Sequence, residues 1–382
     1  MKPLKAYTFF ANLASSLTSP FISFFVASNG IIGSVLAIAT SAGTTFPGIA
    51  QYFLINLSIK AKKLLFWGTL AEGIIWLLIG LLALTNIFFV VLYVVITLIM
   101  GVTNFGWLLI LDKISGTSKG LVLSQYNLYV YLAGLLATLF TGFVASSDID
   151  VLRFFFIASG LLYIYGAYVN SKIDVDVEFK SKSASPVKVF KNSRLRNFLL
   201  ANSLFTFTWA MAWPLFPLAQ VYKFHLDSFE IAIINVIGNL STVILQRIVG
   251  RLIDKHRVAT MFFSRFALAT FPLAYAFSTT PYEIYASSLV SGFTNSASVS
   301  FTAYILDVSD YQHKRTIIAL YNMLSGLAAL GGSLLTSFIF GLLLNYFSNM
   351  VTTIDIMLGS IGGLRIITSL LFLRVEEKID KL

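Results

Sequence analysis

The sequence predicts an all-α polytopic membrane protein with twelve transmembrane helices in two pseudo-symmetric six-helix bundles. Three observations lead to this fold class. First, hydrophobic residues make up 57% of the chain and charged residues only 12%, whereas a soluble domain is about 25% charged. Second, the chain repeats itself at one fixed offset. Third, basic loops alternate with acidic ones along its length.

Apolar runs of about 20 residues recur along the whole chain, and this is the length that crosses a bilayer as a helix. The runs are continuous rather than alternating, which argues against the strands of a membrane barrel. The first run is too long for a cleavable signal peptide and is followed at once by another, so we expect it to remain as span 1. The predicted limits of the twelve spans are 5–27, 31–55, 64–84, 87–111, 120–146, 151–170, 198–222, 229–252, 258–278, 283–306, 315–343 and 352–373.

The chain contains one structural unit twice, 195 residues apart. The windows 111–127 and 306–322, which run from the ends of spans 4 and 10 into spans 5 and 11, share four polar identities without a gap. These pair Asp112 with Asp307, Lys119 with Lys314, Tyr126 with Tyr321 and Asn127 with Asn322. Upstream, the same offset pairs Gln51 with Gln246 and Lys60 with Lys255. An offset that holds over about 90 residues predicts two six-span repeats.

Lysine and arginine gather in every second loop, whereas the opposite loops carry only Arg153 and Lys223. An excess of basic residues marks cytoplasmic loops, so we expect a multi-pass protein of the cell membrane with both termini in the cytoplasm. The end of each span that is predicted to face the cytoplasm is called its inner end below, and the other its outer end. This distribution also accounts for the net charge of +10 without a nucleic-acid partner.

One long polar segment separates the two repeats. It predicts an N-terminal six-helix bundle over 1–170, a cytoplasmic linker over 171–197 and a C-terminal six-helix bundle over 198–382. We expect the first part of the linker to be flexible. From Ser185 a helix is predicted, with Pro186 in its first turn. It would lie on anionic lipid or serve as an ordered connector.

The loop after span 8 carries a partial family signature, with matches at Gly250, Leu252, Asp254, Lys255 and Arg257. It resembles the loop signature of the major facilitator superfamily, roughly Gly-x-Leu-x-Asp-Arg-x-Gly-Arg. The second glycine is missing, and Ile59 stands where the first repeat should have the aspartate. Together with the topology of the whole chain, the resemblance implies a secondary transporter. Its two bundles would rock about a central site, with spans 1, 4, 7 and 10 lining the path.

Polar residues at bilayer depth are candidates for a substrate site, because they are costly elsewhere in a membrane. In span 10 such residues recur at steps of three and four, which places them on one helical face. Spans 4 and 7 add polar and aromatic residues at similar spacing. The alternative is that small polar residues let helices pack closely and that the tryptophans fill the core. The candidate substrate-binding residues are Asn104, Trp107, Thr206, Trp209, Trp213, Ser291, Asn295, Ser298 and Thr302.

Few charged residues fall inside the predicted spans. Glu72 in span 3 is the candidate for coupling, because a carboxyl at that depth could carry a proton; a structural, hydrogen-bonded role is the alternative. Arg265 in span 9 and Arg365 in span 12 lie toward the inner halves, where arginine can snorkel to the headgroups. The alternative for both is a pair with a cavity carboxylate or an anionic substrate.

A second group of polar residues lies at the inner ends of the spans and forms a candidate gate. The family resemblance brings these helices together across the bundle interface, and a carboxylate there can dock on a helix N-terminus. Asp254 is placed to latch span 5, whereas Ile59 cannot latch span 11. The alternative is that these residues only end helices and fix topology. The candidate gating residues are Gln51, Asp112, Asn127, Gln246, Asp254, Arg257, Asp307, Arg315 and Asn322.

No enzyme signature is present in the sequence. The three histidines lie far apart in loops without metal-ligand spacing, and no nucleotide-binding motif occurs. We therefore expect no cofactor, no metal and no direct use of ATP. The expected partners are a small-molecule substrate, the lipid bilayer and a proton or another coupling ion, for a chain that acts as a monomer. Efflux of apolar or weakly polar compounds fits the predicted lining best. An uptake permease for a neutral metabolite and a non-transporting sensor or lipid-handling protein are the alternatives.

Overall fold

A computed structural model of the chain describes residues 2–54, 59–115, 119–177, 190, 192–308 and 314–376, and helices dominate it. The first repeat contains the α-helices Lys2–Thr18, Ile22–Ser28, Gly33–Leu54, Ala61–Leu81, Ile87–Ser115, Lys119–Val144 and Leu152–Ser171, with 3₁₀-helices at Ser19–Phe21 and Ile149–Val151. The second contains Ser193–Ala210, Leu215–Tyr222, Ser228–Lys255, Arg257–Ala267, Thr270–Phe277, Pro281–Ser288, Ser291–Ala297, Val299–Val308, Lys314–Phe347 and Met350–Ser369, with a 3₁₀-helix at Leu370–Arg374.

Nine stretches of the described chain are long and apolar enough to cross a membrane. The other three predicted spans are also present as helices. Span 2 is Gly33–Leu54, span 5 is Lys119–Val144, and span 10 consists of three short helices between Pro281 and Val308. The predicted all-α fold class with twelve spans is therefore confirmed.

Spans 2 and 8 begin in register across the two repeats. Ser228, the first residue of span 8, lies 195 residues after Gly33, the first residue of span 2. The repeats differ in continuity, because spans 3 and 4 are single helices whereas spans 9 and 10 are interrupted. The offset found from a few polar identities thus extends to the start of this pair of helices.

The chain divides into two compact units. Unit 1 comprises Met1–Asn29, Ile49–Lys182 and Asp227–Val236. Within it, span 3 runs closely along span 6 because glycines replace side chains at the contact. A Cβ on Gly73 would lie 2.8 Å from the carbonyl oxygen of Gly160. Nearby, Trp76 stacks on Phe156 with ring centroids 5.3 Å apart, so an aromatic layer fills the space beside the glycine contact.

Unit 2 comprises Gly30–Gly48, Ser183–Leu226 and Ile237–Leu382. Span 11 packs against span 7 at Gly332, where a Cβ would overlap the carbonyl oxygen of Phe207. The core of unit 2 is aromatic, and its fully buried rings are Phe198, Phe205, Phe301 and Phe372. The domain limits at 1–170, 171–197 and 198–382 stay a prediction.

The first residues after span 6 differ from the expectation of a flexible linker. Ile173–Val177 lie along the inner end of span 3, where the amide of Lys62 donates to Asp176 Oδ1 at 3.1 Å. The first amides of a helix lack acceptors within the helix, and Lys60 at the N-cap supplies none. Asp176 fills that role from the next segment of the chain. The predicted start of a helix at Ser185 lies outside the described residues.

Candidate functional site

Span 10 presents the predicted polar face as an exposed stripe. Ser291 is half-buried, and Asn295, Ser298 and Thr302 are exposed. These four residues recur at steps of three and four, so they share one face of the helix. Ser287 fits the same spacing but is buried, and its hydroxyl donates to the backbone of its own helix. The exposed stripe therefore begins one turn later than the spacing alone suggests.

The neighbouring face of span 10 packs tightly on span 8. A Cβ on Gly292 would lie 2.6 Å from the carbonyl oxygen of Ser241. Across the same contact, Asn295 Nδ2 donates to Thr242 Oγ1 at 3.3 Å, and Ser296 Oγ lies 3.4 Å from the carbonyl oxygen of Thr242 while it donates to Gly292 O of its own helix at 2.6 Å. Small residues thus allow close helix packing here, as the alternative interpretation holds. That interpretation describes this face and accounts for the contact of Asn295, but it leaves exposed Ser298 and Thr302 unexplained.

The polar residues of span 10 coincide with its interruptions at 289–290 and at Ser298. At both places the helix tightens, because Val290 N donates to Ser287 O at 3.0 Å and Ser298 N to Asn295 O at 3.1 Å. Ser298 Oγ also donates to Asn295 O at 2.6 Å. Serine and threonine hydroxyls compete with backbone amides for such carbonyls and bend helices. The hydroxyl side chains of span 10 therefore contribute to the interruptions of its helix.

Span 7 breaks after Ala210, at the second group of candidate residues. Pro214 has no amide proton for Ala210 O, and the amide of Trp213 bonds that carbonyl instead, at 3.0 Å. This shift leaves Trp209 O without its helical donor. The two indole rings meet edge to face with centroids 4.9 Å apart, and Thr206 lies buried one turn earlier. The three predicted residues of span 7 therefore flank the break.

Arg365 bridges the breaks of two helices in unit 2. Its Nη1 donates to Leu268 O at 2.6 Å and its Nη2 donates to Trp209 O. Leu268 O lacks a helical donor because the residue four positions later is Pro272. Arg365 is 0% exposed, so the expectation that it snorkels to the inner surface is wrong. Two carbonyls released by helix breaks bind the guanidinium at depth instead.

Arg265 is a second buried guanidinium of unit 2, with 8% exposure. Its Cζ lies 3.9 Å from the ring centroid of Phe301, 5.1 Å from that of Phe205 and 5.6 Å from that of Trp209. Its Nη2 lies 3.5 Å from Asn202 Oδ1, and its Nε is buried without a hydrogen-bond partner among the described residues. Snorkelling is therefore wrong for Arg265 too, and no carboxylate in the described chain pairs with it.

In unit 1, the two candidates of span 4 differ in burial. Asn104 is exposed and Trp107 is half-buried. The indole Nε1 of Trp107 donates to Thr8 Oγ1 at 3.4 Å, and Thr8 Oγ1 in turn donates to Leu4 O at 2.9 Å. Span 1 therefore fixes the orientation of Trp107, while Asn104 stays open for contact.

Glu72 lies inside unit 1 with 2% exposure, and its Oε1 is 2.5 Å from Thr103 Oγ1. The same hydroxyl is 3.0 Å from Ile99 O. A hydroxyl has one proton to donate. When Glu72 is a neutral acid, it can donate to Thr103 while Thr103 donates to Ile99 O. When Glu72 is ionised, Thr103 can donate to the carboxylate, so the pair has a hydrogen-bonded arrangement for both protonation states.

Part of the candidate gate forms an ion pair in unit 2. The guanidinium of Arg257 at the start of span 9 donates to the carboxylate of Asp307 at the end of span 10. Asp254 and Gln246 lie nearby in sequence at the inner end of span 8, and both are exposed. The pair therefore ties the inner ends of spans 9 and 10 together.

The other candidate gating residues lie on spans 2, 4, 5 and 11. Gln51 and Asn322 are half-buried. A Cβ on Gly48 would lie 2.5 Å from Asn322 O, so the backbone of span 2 comes close to that of span 11 within unit 2. The side chains outside the described part of the structure are those of Asp112, Asn127 and Arg315.

The structure also shows contacts in unit 2 that sequence reasoning missed. Phe205 and Phe301 surround Arg265, and no pattern in the sequence marks either ring. Lys223 forms an ion pair with Asp355, with Nζ and Oδ1 2.6 Å apart, which ties the outer ends of spans 7 and 12. Among the described residues, no group of three metal-binding side chains comes together.

Comparison of the sequence with protein-family models identifies one family. The model of the Major Facilitator Superfamily matches residues 6–333 and 198–381. Among solved structures, the chain is similar to the nucleoside transporter NupG, with a TM-score of 0.73, 13% identity and coverage of 98% of each chain. It is also similar to an auto-inhibited POT family peptide transporter, with a TM-score of 0.78, 10% identity and coverage of 100% of this chain and 98% of that one.

A third similar structure is the human organic anion transporter MFSD10 (TETRAN), with a TM-score of 0.65, 13% identity and coverage of 97% of this chain and 98% of that one. No curated protein matches the sequence. At such low identities the structural similarity establishes the fold and leaves the solute open.

Proposed function

Because the chain belongs to the Major Facilitator Superfamily, we propose that it is a secondary active transporter that moves a small solute by alternating access. The observation that carries the proposal is the exposed stripe of Ser291, Asn295, Ser298 and Thr302 on a membrane-crossing segment. Exposed polar side chains are costly against lipid and are accommodated where a helix lines a water-filled path. The stripe therefore supports a solute path along span 10.

The lining favours a solute that combines an apolar body with few polar groups. Trp107, Trp209 and Trp213 are half-buried, so part of each indole is open to contact. Indole rings offer large apolar faces, and uncharged hydroxyl and amide groups offer hydrogen bonds. We propose efflux of weakly polar compounds on this basis, by a monomer in the cell membrane with both termini in the cytoplasm. The matched structures transport nucleosides, peptides and an organic anion, which are all small organic solutes.

Glu72 is the proposed coupling residue, and protons are the proposed driving ion. The contact of its Oε1 with Thr103 Oγ1 at 2.5 Å supports a proton that is taken up and released, since the hydroxyl can turn between Glu72 and Ile99 O. A residue with only a structural role needs a hydrogen-bonded arrangement for one protonation state, whereas a coupling residue needs one for each.

The proposed gate is at the inner ends of the spans. The ion pair of Arg257 with Asp307 holds two of these ends in unit 2, and exposed Asp254 is available to dock on a helix N-terminus when the conformation changes. We propose that Asp254 acts as the single latch of the outward-facing state, because the matching Ile59 has no charge.

Cysteine accessibility tests the proposed path directly, because the natural chain contains no cysteine. Single variants Ser298→Cys and Thr302→Cys in native membranes should react with a water-soluble maleimide at least about tenfold faster than Phe338→Cys or Leu342→Cys, since the thiolate that reacts needs water. The two control residues are also exposed, at 66% and 56%, but they are apolar. Equal, slow labelling at all four positions contradicts the proposal.

The same assay tests the latch. If Asp254 holds the outward-facing state, Asp254→Asn should change the labelling rate at Ser298→Cys by shifting the populations of the two states. An unchanged rate means that Asp254 is not a latch and serves only to end span 8.

A further inference from the structure

The two buried arginines of unit 2 differ in how their donors are satisfied. A guanidinium has five N–H donors and always carries its charge. Arg365 donates two hydrogen bonds to backbone carbonyls, although its Nε, like that of Arg265, is buried without a partner among the described residues. Arg265 makes one hydrogen bond of 3.5 Å within the described chain, to Asn202 Oδ1. Since a buried charge is costly unless it is paired and hydrogen-bonded, Arg265 lacks the partner that its position requires.

The described carboxylates of unit 2 do not supply that partner. The described part of this unit contains five carboxylate side chains. Asp307 pairs with Arg257, Asp355 with Lys223 and Glu376 with Arg194. Glu283 accepts amide protons from the start of its own helix, and Asp254 is exposed at the end of span 8. No carboxylate in the described part of unit 2 is therefore available to balance Arg265.

The surroundings of Arg265 suit a ligand with an apolar body and one negative group. The rings of Phe301, Phe205 and Trp209 lie 3.9–5.6 Å from its Cζ, which holds the cation by cation–π attraction and excludes water. Trp209 is half-buried and contacts Trp213 edge to face. An apolar body can therefore stack on an indole while its charged end reaches the guanidinium.

We propose that Arg265 binds the anionic group of the transported solute while Trp209 stacks on its apolar body, so that the substrate is a small organic anion. The inference rests on the proposed transport function and replaces its weakly polar solute by an organic anion with an apolar body. Arginine suits this role because its planar fork binds carboxylate, sulfonate or phosphate through two parallel, charge-assisted hydrogen bonds. The inference also makes Arg265 the residue whose charge determines specificity, because the other predicted lining residues are neutral.

Ligand binding to the purified chain tests the inference apart from transport. Benzoate, benzenesulfonate and phenyl phosphate are compared with the neutral benzamide and benzenesulfonamide, by the rise in melting temperature and by quenching of tryptophan fluorescence. At least one anion should bind about tenfold or more tightly than its neutral counterpart. Arg265→Gln should remove that difference, because it removes a charge-assisted interaction. Arg153→Gln removes an exposed arginine charge and should leave binding unchanged.

The outcomes separate the inference from the function on which it rests. Equal binding of anions and neutral counterparts by the wild type overturns the inference, whether or not Arg265→Gln folds. Anion binding that survives in Arg265→Gln or Arg265→Lys with full affinity also overturns it. Phosphatidylglycerol is added at increasing ratios of lipid to protein. If its lowest ratio already abolishes the difference in binding between anions and neutral compounds, Arg265 binds a lipid headgroup, and the proposal that it binds the solute is wrong. Anion binding without any flux in vesicles contradicts the transport function and leaves the anion site intact.

Discussion

Single residues in the core of unit 2 show how surroundings decide the role of one side chain. Arg365 and Arg265 are the same residue type at similar burial, 0% and 8% exposed. Arg365 meets two carbonyls that prolines and shifted amides have released. Arg265 meets aromatic rings and one distant amide oxygen. Backbone carbonyls therefore bind both terminal nitrogens of Arg365, although its Nε, like that of Arg265, is buried without a partner among the described residues, and the terminal nitrogens of Arg265 remain available for a ligand.

At the same scale, Glu72→Gln tests proton coupling in unit 1. A glutamine keeps the hydrogen bond with Thr103 but cannot take up and release a proton. Uphill accumulation of solute under a pH gradient should therefore be lost, while exchange of labelled for unlabelled solute across the membrane should remain. Glu283→Gln, which removes an exposed carboxylate and preserves its helix cap, serves as the control. Uphill accumulation by Glu72→Gln at the wild-type level means that Glu72 has only a structural role.

At the scale of secondary-structure elements, the main feature of unit 2 is the interruption of its helices. Spans 7, 9 and 10 are each built from shorter helices, and the candidate residues lie at these breaks. Pro214 and Pro272 each remove the amide that would bond a carbonyl four residues earlier. Because the amide of Trp213 shifts to Ala210 O, the carbonyl left free in span 7 is Trp209 O, and Arg365 joins the two broken helices through Trp209 O and Leu268 O.

A double-mutant cycle between Arg365 and Pro272 tests this coupling of breaks. Arg365→Met should reduce the free energy of unfolding by about 2–5 kcal/mol, because it leaves two buried carbonyls without donors. Pro272→Ala restores an amide that can bond Leu268 O. In that background Arg365→Met should cost about 1 kcal/mol less. Unfolding in mixed micelles with increasing SDS gives the four free energies, and additive effects contradict the coupling.

The sequence predicts the spans and the stripe of span 10 because both depend on local patterns. Apolar length decides whether a segment crosses the membrane, and steps of three and four decide which side chains share a face. The depths of Arg265 and Arg365 are not predictable in this way. Snorkelling assumes a continuous helix that leads to the surface, whereas tertiary contacts hold these side chains inside. The prolines four residues after Ala210 and Leu268 were a usable sign of released carbonyls, but nothing in the sequence connects them to Arg365.

For the whole molecule, the two repeats share a sequence offset and have diverged in chemistry. Spans 2 and 8 start 195 residues apart. The proposed coupling carboxyl lies in the first repeat, and the proposed anion site and latch lie in the second. An alternating-access transporter needs coupling and substrate binding to affect one conformational equilibrium, and this division assigns one task to each copy.

The central claim is that the chain transports a small solute against its gradient. The most direct test is accumulation in proteoliposomes under an imposed pH gradient, with the compound that stabilises the purified chain most strongly in the ligand comparison as the labelled solute. We expect the internal concentration to exceed the external one, and a protonophore to collapse the difference. A compound that binds the chain but never accumulates, or that only equilibrates whatever the gradient, contradicts secondary active transport.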